Sequence, residues 1–129
     1  MTKPLALIIE DDFDATVIFD EALQAAGFDT ETIKTGDAAA KRLTEIVPAV
    51  VILDLHLPGV GGTTILDQIR SDPRLAETQV IIITGDSSLA DDPKLQRAAV
   101  QILVKPITYS RLRDLARLLM LSIKRSQGE

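Results

Sequence analysis

Five short runs of branched apolar residues punctuate the chain: Leu5 to Ile9, Phe28 to Ile33, Val50 to Leu53, Val80 to Ile83 and Ile102 to Val104. Each is too short for a helix and rich in the Val, Ile and Leu that suit a pleated, buried surface. Four of the five are apolar almost throughout, the pattern of strands covered on both faces in a parallel sheet between helices. The run from Phe28 to Ile33 differs, because Asp29 and Glu31 alternate with less polar neighbours, and it is expected at an edge.

Helix-length segments separate the runs. Asp14 is expected to cap a helix reaching Ala26, which Gly27 ends. Thr35-Gly36-Asp37 opens a second, which must stop before Pro48 because proline disfavours helical geometry in the residue preceding it. Gly61-Gly62-Thr63 opens a third that closes at Ser71-Asp72-Pro73, and a fourth falls within Asp92 to Ala99, with Pro93 in its first turn. From Tyr109 to Arg125, Leu112, Leu115, Ala116, Leu119 and Ile123 form one helical stripe. Strand and helix alternating five times predict an α/β fold, an open parallel sheet with helices on both faces. A chain of 129 residues has room for one such domain, 1–129, with residues 4–125 as its ordered core and 126–129 as a frayed tail.

Composition narrows the chemistry. There is no Cys and one His, His56, so disulfides, thiolate zinc sites, cysteine nucleophiles and His-rich metal sites are excluded. Carboxylates remain as ligands, and they suit a hard cation such as Mg²⁺. The net charge of −5 argues against direct nucleic-acid binding, and no run approaches the apolar length of a membrane span, so a cytoplasmic location is expected. The charge is uneven: residues 1–64 carry 11 acids and 4 bases (−7), residues 65–129 carry 8 acids and 10 bases (+2).

In open α/β sheets, ligands bind beyond the carboxyl ends of the strands. Glu10, Asp11 and Asp12 follow the first run, Asp54 the third, Thr84 the fourth and Lys105 the fifth, whereas the second ends at Lys34 and Thr35. Taken singly, an acid after a strand is an ordinary turn residue. Four strands bringing acids, a hydroxyl and an ammonium to one rim are not explained that way. Clustered carboxylates repel unless a divalent cation neutralises them, and a carboxylate beside Mg²⁺ can attack phosphorus while a Lys and a Thr contact the transferred oxygens. The set reads as phosphoryl transfer to an aspartate. Asp12 is read as an acid near the positive end of the first helix, and the His56 side chain as an exposed loop residue.

These residues resemble the receiver domains (CheY-like) of two-component response regulators. The resemblance runs through Leu7-Ile8-Ile9-Glu10-Asp11-Asp12, Val51-Ile52-Leu53-Asp54-Leu55-His56-Leu57-Pro58-Gly59, Ile81-Ile82-Ile83-Thr84-Gly85 and Leu103-Val104-Lys105-Pro106, covering essentially the whole chain in order. It implies a flavodoxin-like, doubly wound (βα)5 fold of strand order 2-1-3-4-5. It further implies Asp54 as phosphoacceptor and Asp11 as a direct Mg²⁺ ligand, with Glu10 acting through a bound water and the main-chain carbonyl of His56 facing the metal. Thr84 would bond a phosphoryl oxygen and move on activation, Lys105 would pair with the phosphoryl charge, and the peptide before Pro106 would be cis. A histidine kinase or histidine phosphotransfer protein is the implied donor. The implied output is a downstream protein target on the face of the fourth helix, fifth strand and fifth helix, with no separate enzymatic activity.

Three places depart from the family pattern: Ile102 stands where an aromatic is common, Gly61-Gly62 where an acid and Gly are common, and Asp86, Asp91 and Asp92 make the segment after Thr84 unusually acidic. Two rival readings are weighed. Asp12-Phe13-Asp14-Ala15-Thr16 fits the DxDxT signature of haloacid-dehalogenase-type phosphatases, but Glu10 and Asp11 intervene after the strand and no acidic pair follows Lys105 on a further strand. A non-phosphorylated docking module would be favoured had Asp54 or Lys105 been missing. Arg113, Arg117, Lys124 and Arg125 around Leu121 mark the last helix as a contact surface for a homodimer or partner, to be weighed against an ordinary exposed leucine.

Overall fold

The computed structural model describes residues 2–128. Strands β1 (Leu5–Ile9), β2 (Asp29–Ile33), β3 (Val50–Asp54), β4 (Gln79–Thr84) and β5 (Gln101–Val104) alternate with helices α1 (Phe13–Ala25), α2 (Gly36–Arg42), α3 (Gly62–Ser71), α4 (Pro93–Ala98) and α5 (Tyr109–Ser126). All pairings are parallel and the order is β2-β1-β3-β4-β5, the CheY-like arrangement expected. Of the expected tail, Ser126 closes α5 and Gln127 caps it, while Glu129, like Met1, lies outside the described residues.

The runs are apolar throughout because the sheet has two cores. Ala6, Ile8, Val50, Ile52, Ile81, Ile83 and Leu103 face α1 and α5. Their neighbours Leu7, Ile9, Val51, Leu53, Val80 and Ile82 face the opposite layer with residues of α2, α3 and α4. Truncating a fully buried member such as Ile52 to Ala is worth about 2–5 kcal/mol. Helix starts are fixed by side-chain caps: Thr35 accepts from the Ala38 amide (3.2 Å), Asp92 from Lys94 (2.9 Å) and Thr108 from Arg111 (3.2 Å).

Two expectations need correction. Asp14 does not cap α1: the helix begins at Phe13 with Asp12 as N-cap, and neither side chain makes the capping bond. Asp14 lies instead in the first turn, where its charge still favours the positive helix end. Nor is the fifth run covered on both faces. A five-stranded open sheet has two edges, β5 is the second, and Gln101 is exposed while Ile102 and Val104 are only partly buried. The acidic segment after Thr84 forms a short 3₁₀ turn, Ser87–Asp91, in which Asp86 accepts from the Ser88 amide (3.0 Å), so two of its three acids serve as caps.

Candidate functional site

Glu10 extends β1 by one residue, its amide donating to Ile33 O at 3.0 Å, and its side chain is fully buried. Oε2 accepts from the amides of Asp11 (3.0 Å) and Asp12 (3.3 Å). Asp54, the last residue of β3, is buried as well: Oδ1 accepts from the His56 amide at 2.9 Å and Oδ2 from Lys105 Nζ at 3.3 Å. The same ammonium stands 2.9 Å from Glu10 Oε1, forming an ion pair with this second buried carboxylate. Thr84 ends β4, fully buried, its Oγ1 accepting from the Asp86 amide at 3.0 Å. The Lys105 amide donates to Thr84 O at 2.8 Å, and the Lys105–Pro106 peptide is cis.

Carboxylate oxygens of Glu10, Asp11 and Asp54 lie within 4.8 Å of one another, a donor set able to hold a metal ion. Three clustered carboxylates, two of them buried, share a single ammonium, and the negative charge that Lys105 leaves over on an all-oxygen donor set suits a hard divalent cation. Electrostatics agree. Burial, then the neighbouring Asp54 carboxyl, push Glu10 up to about 7 against the opposing pull of Lys105. At Lys105, partial burial works downward, but contacts with Glu10 and Asp54 outweigh it and raise the ammonium.

The loop after Asp54 is held by two glycines whose role sequence reading missed. A Cβ on Gly62 would stand 2.5 Å from Leu55 Cα and 2.6 Å from the Asp54 carbonyl oxygen. One on Gly36 would meet the Val60 carbonyl oxygen at 1.6 Å, and the Gly36 amide donates to Pro58 O at 3.1 Å. In the sequence both read as helix openers; the backbone contact requiring Gly is tertiary and leaves no local signal beyond Gly itself. Of the expected residues, the structure brings Glu10, Asp11, Asp54, Thr84 and Lys105 to one rim, and the His56 side chain is exposed. A surface cavity of about 1070 Å³ lies at the other end of the sheet, lined by Pro4, Ala49, Met120 and Ile123 among others, away from the carboxylate cluster.

The sequence profile of the response regulator receiver domain matches residues 6–117. The phosphate regulon transcriptional regulatory protein PhoB of Rhizobium meliloti is 32% identical over 110 residues, covering 84% of this chain and 48% of that protein. The polar-differentiation response regulator DivK of Brucella ovis is 26% identical, over 86% of this chain and 90% of its own. The signal receiver domain of a LuxO repressor protein from Vibrio parahaemolyticus superposes with a TM-score of 0.83 at 29% identity, over 97% of this chain and 95% of that one. The chain spans about half the length of the first curated relatives it matches, 48% of PhoB. Nothing in these relatives favours a haloacid-dehalogenase-type phosphatase or a docking module, and Asp12, the first acid of the DxDxT pattern, is the exposed N-cap of α1. With fold, rim and sequence in agreement, the chain belongs to the receiver domains of response regulators, the phosphoacceptor domains of two-component signalling.

Proposed function

We propose that Asp54 takes a phosphoryl group from phosphohistidine on a histidine kinase or histidine phosphotransfer protein, in a Mg²⁺-dependent reaction. The observation that carries this reading is the buried Asp54 carboxylate at a strand end, 3.3 Å from Lys105 Nζ and clustered with Glu10 and Asp11. A carboxylate oxygen of Asp54 attacks phosphorus, the P–N bond breaks with its electron pair leaving on the imidazole nitrogen, and an acyl phosphate remains. Glu10, Asp11, Asp54 and the main-chain carbonyl of His56 are the residues to hold Mg²⁺, whose charge offsets the carboxylates and the incoming phosphoryl oxygens. Lys105 then pairs with phosphoryl charge. The Thr84 hydroxyl oxygen accepts from the Asp86 amide, which leaves its own proton to donate to a phosphoryl oxygen.

The acceptor is the protein's own side chain, so the domain catalyses only its own phosphorylation and dephosphorylation. Its output passes to a downstream protein through α4, β5 and α5, without direct nucleic-acid contact, and 1–129 acts as one receiver domain in the cytoplasm. Support for the last two points is the net charge of −5 and the absence, among the described residues, of a helix long and apolar enough to cross a membrane. The test is incubation with a small phosphodonor and Mg²⁺, followed by detection of an alkali-labile phosphoryl adduct. Asp54→Asn is expected to abolish the adduct and Asp11→Ala to remove both activity and Mg²⁺ dependence. Undiminished labelling of Asp54→Asn at the same lability overturns the reading.

A further inference from the structure

β2 ends the sheet, and its outer side carries no further strand among the described residues. The Asp29 amide donates to Pro4 O at 2.9 Å and the Ile33 carbonyl accepts from the Glu10 amide at 3.0 Å, so Asp29, Glu31 and Ile33 turn their main-chain groups toward β1. Successive residues of a strand send these groups to opposite sides, so Thr30 and Thr32 each turn an N–H and a C=O away from the sheet. Both are β-branched, Thr32 is exposed and Thr30 half-buried, a composition that suits a pleated surface with a neighbour on each side.

The surroundings of this edge are acidic. From Pro4 to Ile33 the chain has eight acids and no Lys or Arg. Among the described residues, only Glu10 and Glu31 of the eight have a cation within 4.0 Å, Lys105 and Arg42. Asp20 reaches from α1 to Thr30, whose hydroxyl donates to its Oδ1, while Gln24 Nε2 donates to its Oδ2 at 3.0 Å. Asp20 thus stands beside the open edge, and Asp29 is exposed at the foot of the strand. Pairing with β2 of a second copy would set these acids against their own kind, which is how natural edges are guarded against self-association. The same charges favour a strand that brings cations.

We propose that the outer edge of β2 docks an extended segment of a partner protein, with Lys or Arg on alternate residues, which joins the sheet as a sixth strand. Its main chain bonds the N–H and C=O groups of Thr30 and Thr32, and its side chains on the α1 side lie next to Thr30, where a cation meets Asp20. Main-chain bonds supply affinity, and the acids select the charge of the partner. The edge is at the far end of the sheet from β5, and the docking does not rest on phosphoryl transfer at Asp54.

The probe is a capped peptide of alternating Lys and Val, Lys-Val-Lys-Val-Lys-Val-Lys, titrated into the isotope-labelled chain and followed by NMR. At saturation, amide exchange at Thr30 and Thr32 is expected to slow by about fivefold or more, and binding to weaken as salt rises. Thr32→Pro, which an edge position with an outward N–H tolerates, should weaken binding by about fivefold, whereas Thr32→Val keeps the main chain and should leave it unchanged. Asp20→Asn should weaken it by about threefold, and the peptide with Glu in place of Lys should not bind. Unslowed exchange at Thr30 and Thr32 overturns the proposal, as does a Thr32→Pro chain that binds as tightly as wild type, or equal binding of the Lys and Glu peptides.

Discussion

Lys105 Nζ stands between two buried carboxylates, 2.9 Å from Glu10 Oε1 and 3.3 Å from Asp54 Oδ2. One ammonium therefore serves two buried carboxylates, and it is the only cation within ion-pair distance of either among the described residues. Removing it with Lys105→Met leaves both acids facing each other out of water, an arrangement expected to destabilise the metal-free protein by about 1–3 kcal/mol in urea denaturation with chelator present. The same change removes a charge that opposes cation binding. Mg²⁺ affinity is accordingly expected to rise in Lys105→Met and fall in Asp11→Asn, as measured by titration calorimetry.

Gly62 and Gly61 are adjacent in sequence and opposite in consequence. An added Cβ at Gly62 meets Leu55 Cα at 2.5 Å and the Asp54 carbonyl at 2.6 Å, whereas at Gly61 it meets nothing within 4 Å, and Gly61 has a φ of −71° that any residue adopts. Gly62→Ala is expected to lower stability by about 1–3 kcal/mol and slow phosphoryl uptake, because the backbone that must yield is that of Asp54 itself. Gly61→Ala should be neutral or slightly stabilising. Thermal unfolding and labelling rates of the two variants side by side check both claims.

The Thr84 hydroxyl accepts from the Asp86 amide in this state. If it turns to the phosphoryl group on activation, the Asp86 amide loses that partner, and its NMR resonance should move on addition of beryllofluoride in the wild type but not in Thr84→Ala. Ile102 packs at the edge of the α2–α4 core one strand away and has no ring to swing inward. Coupling to the α4–β5–α5 surface is therefore expected through repacking of Ile102, and Ile102→Ala should reduce the amide shifts of that face; unchanged shifts would remove position 102 from the switch.

Arg42 Nε donates to Glu31 Oε2 at 2.7 Å and its second arm reaches Oε1 at 3.0 Å, tying α2 to the edge strand β2. The bond from Arg42, against a smaller effect of burial, holds the Glu31 carboxyl below its ordinary 4.5. A carboxylate with a depressed folded-state value contributes stability that is full above about 4.5 and lost as pH falls through the lower value. Glu31→Gln should thus be less stable than wild type at pH 7, by a small margin, and the difference should close as pH falls from 4.5 through the depressed folded-state value. A gap that persists at low pH would mean that packing, not charge, ties the two elements.

The sequence alone determined the strands, their parallel pairing and the rim. Runs apolar on every residue have no stable place except between two helical layers, and residues that follow such strands must emerge together at one end of the sheet. Glu10, Asp11, Asp54, Thr84 and Lys105 were legible for that reason. Tertiary structure decided what depends on approach between distant segments. The N-cap of α1 is Asp12 and not Asp14, the edge position of β5 leaves its run half-covered, and the glycines at 36 and 62 are sites where one backbone passes against another. The sharing of Lys105 between Glu10 and Asp54 is of the same kind. Local pattern reports which face a residue prefers, but distances of a few ångströms between segments as far apart as Glu10 and Lys105 arise only once the whole sheet has closed its packing.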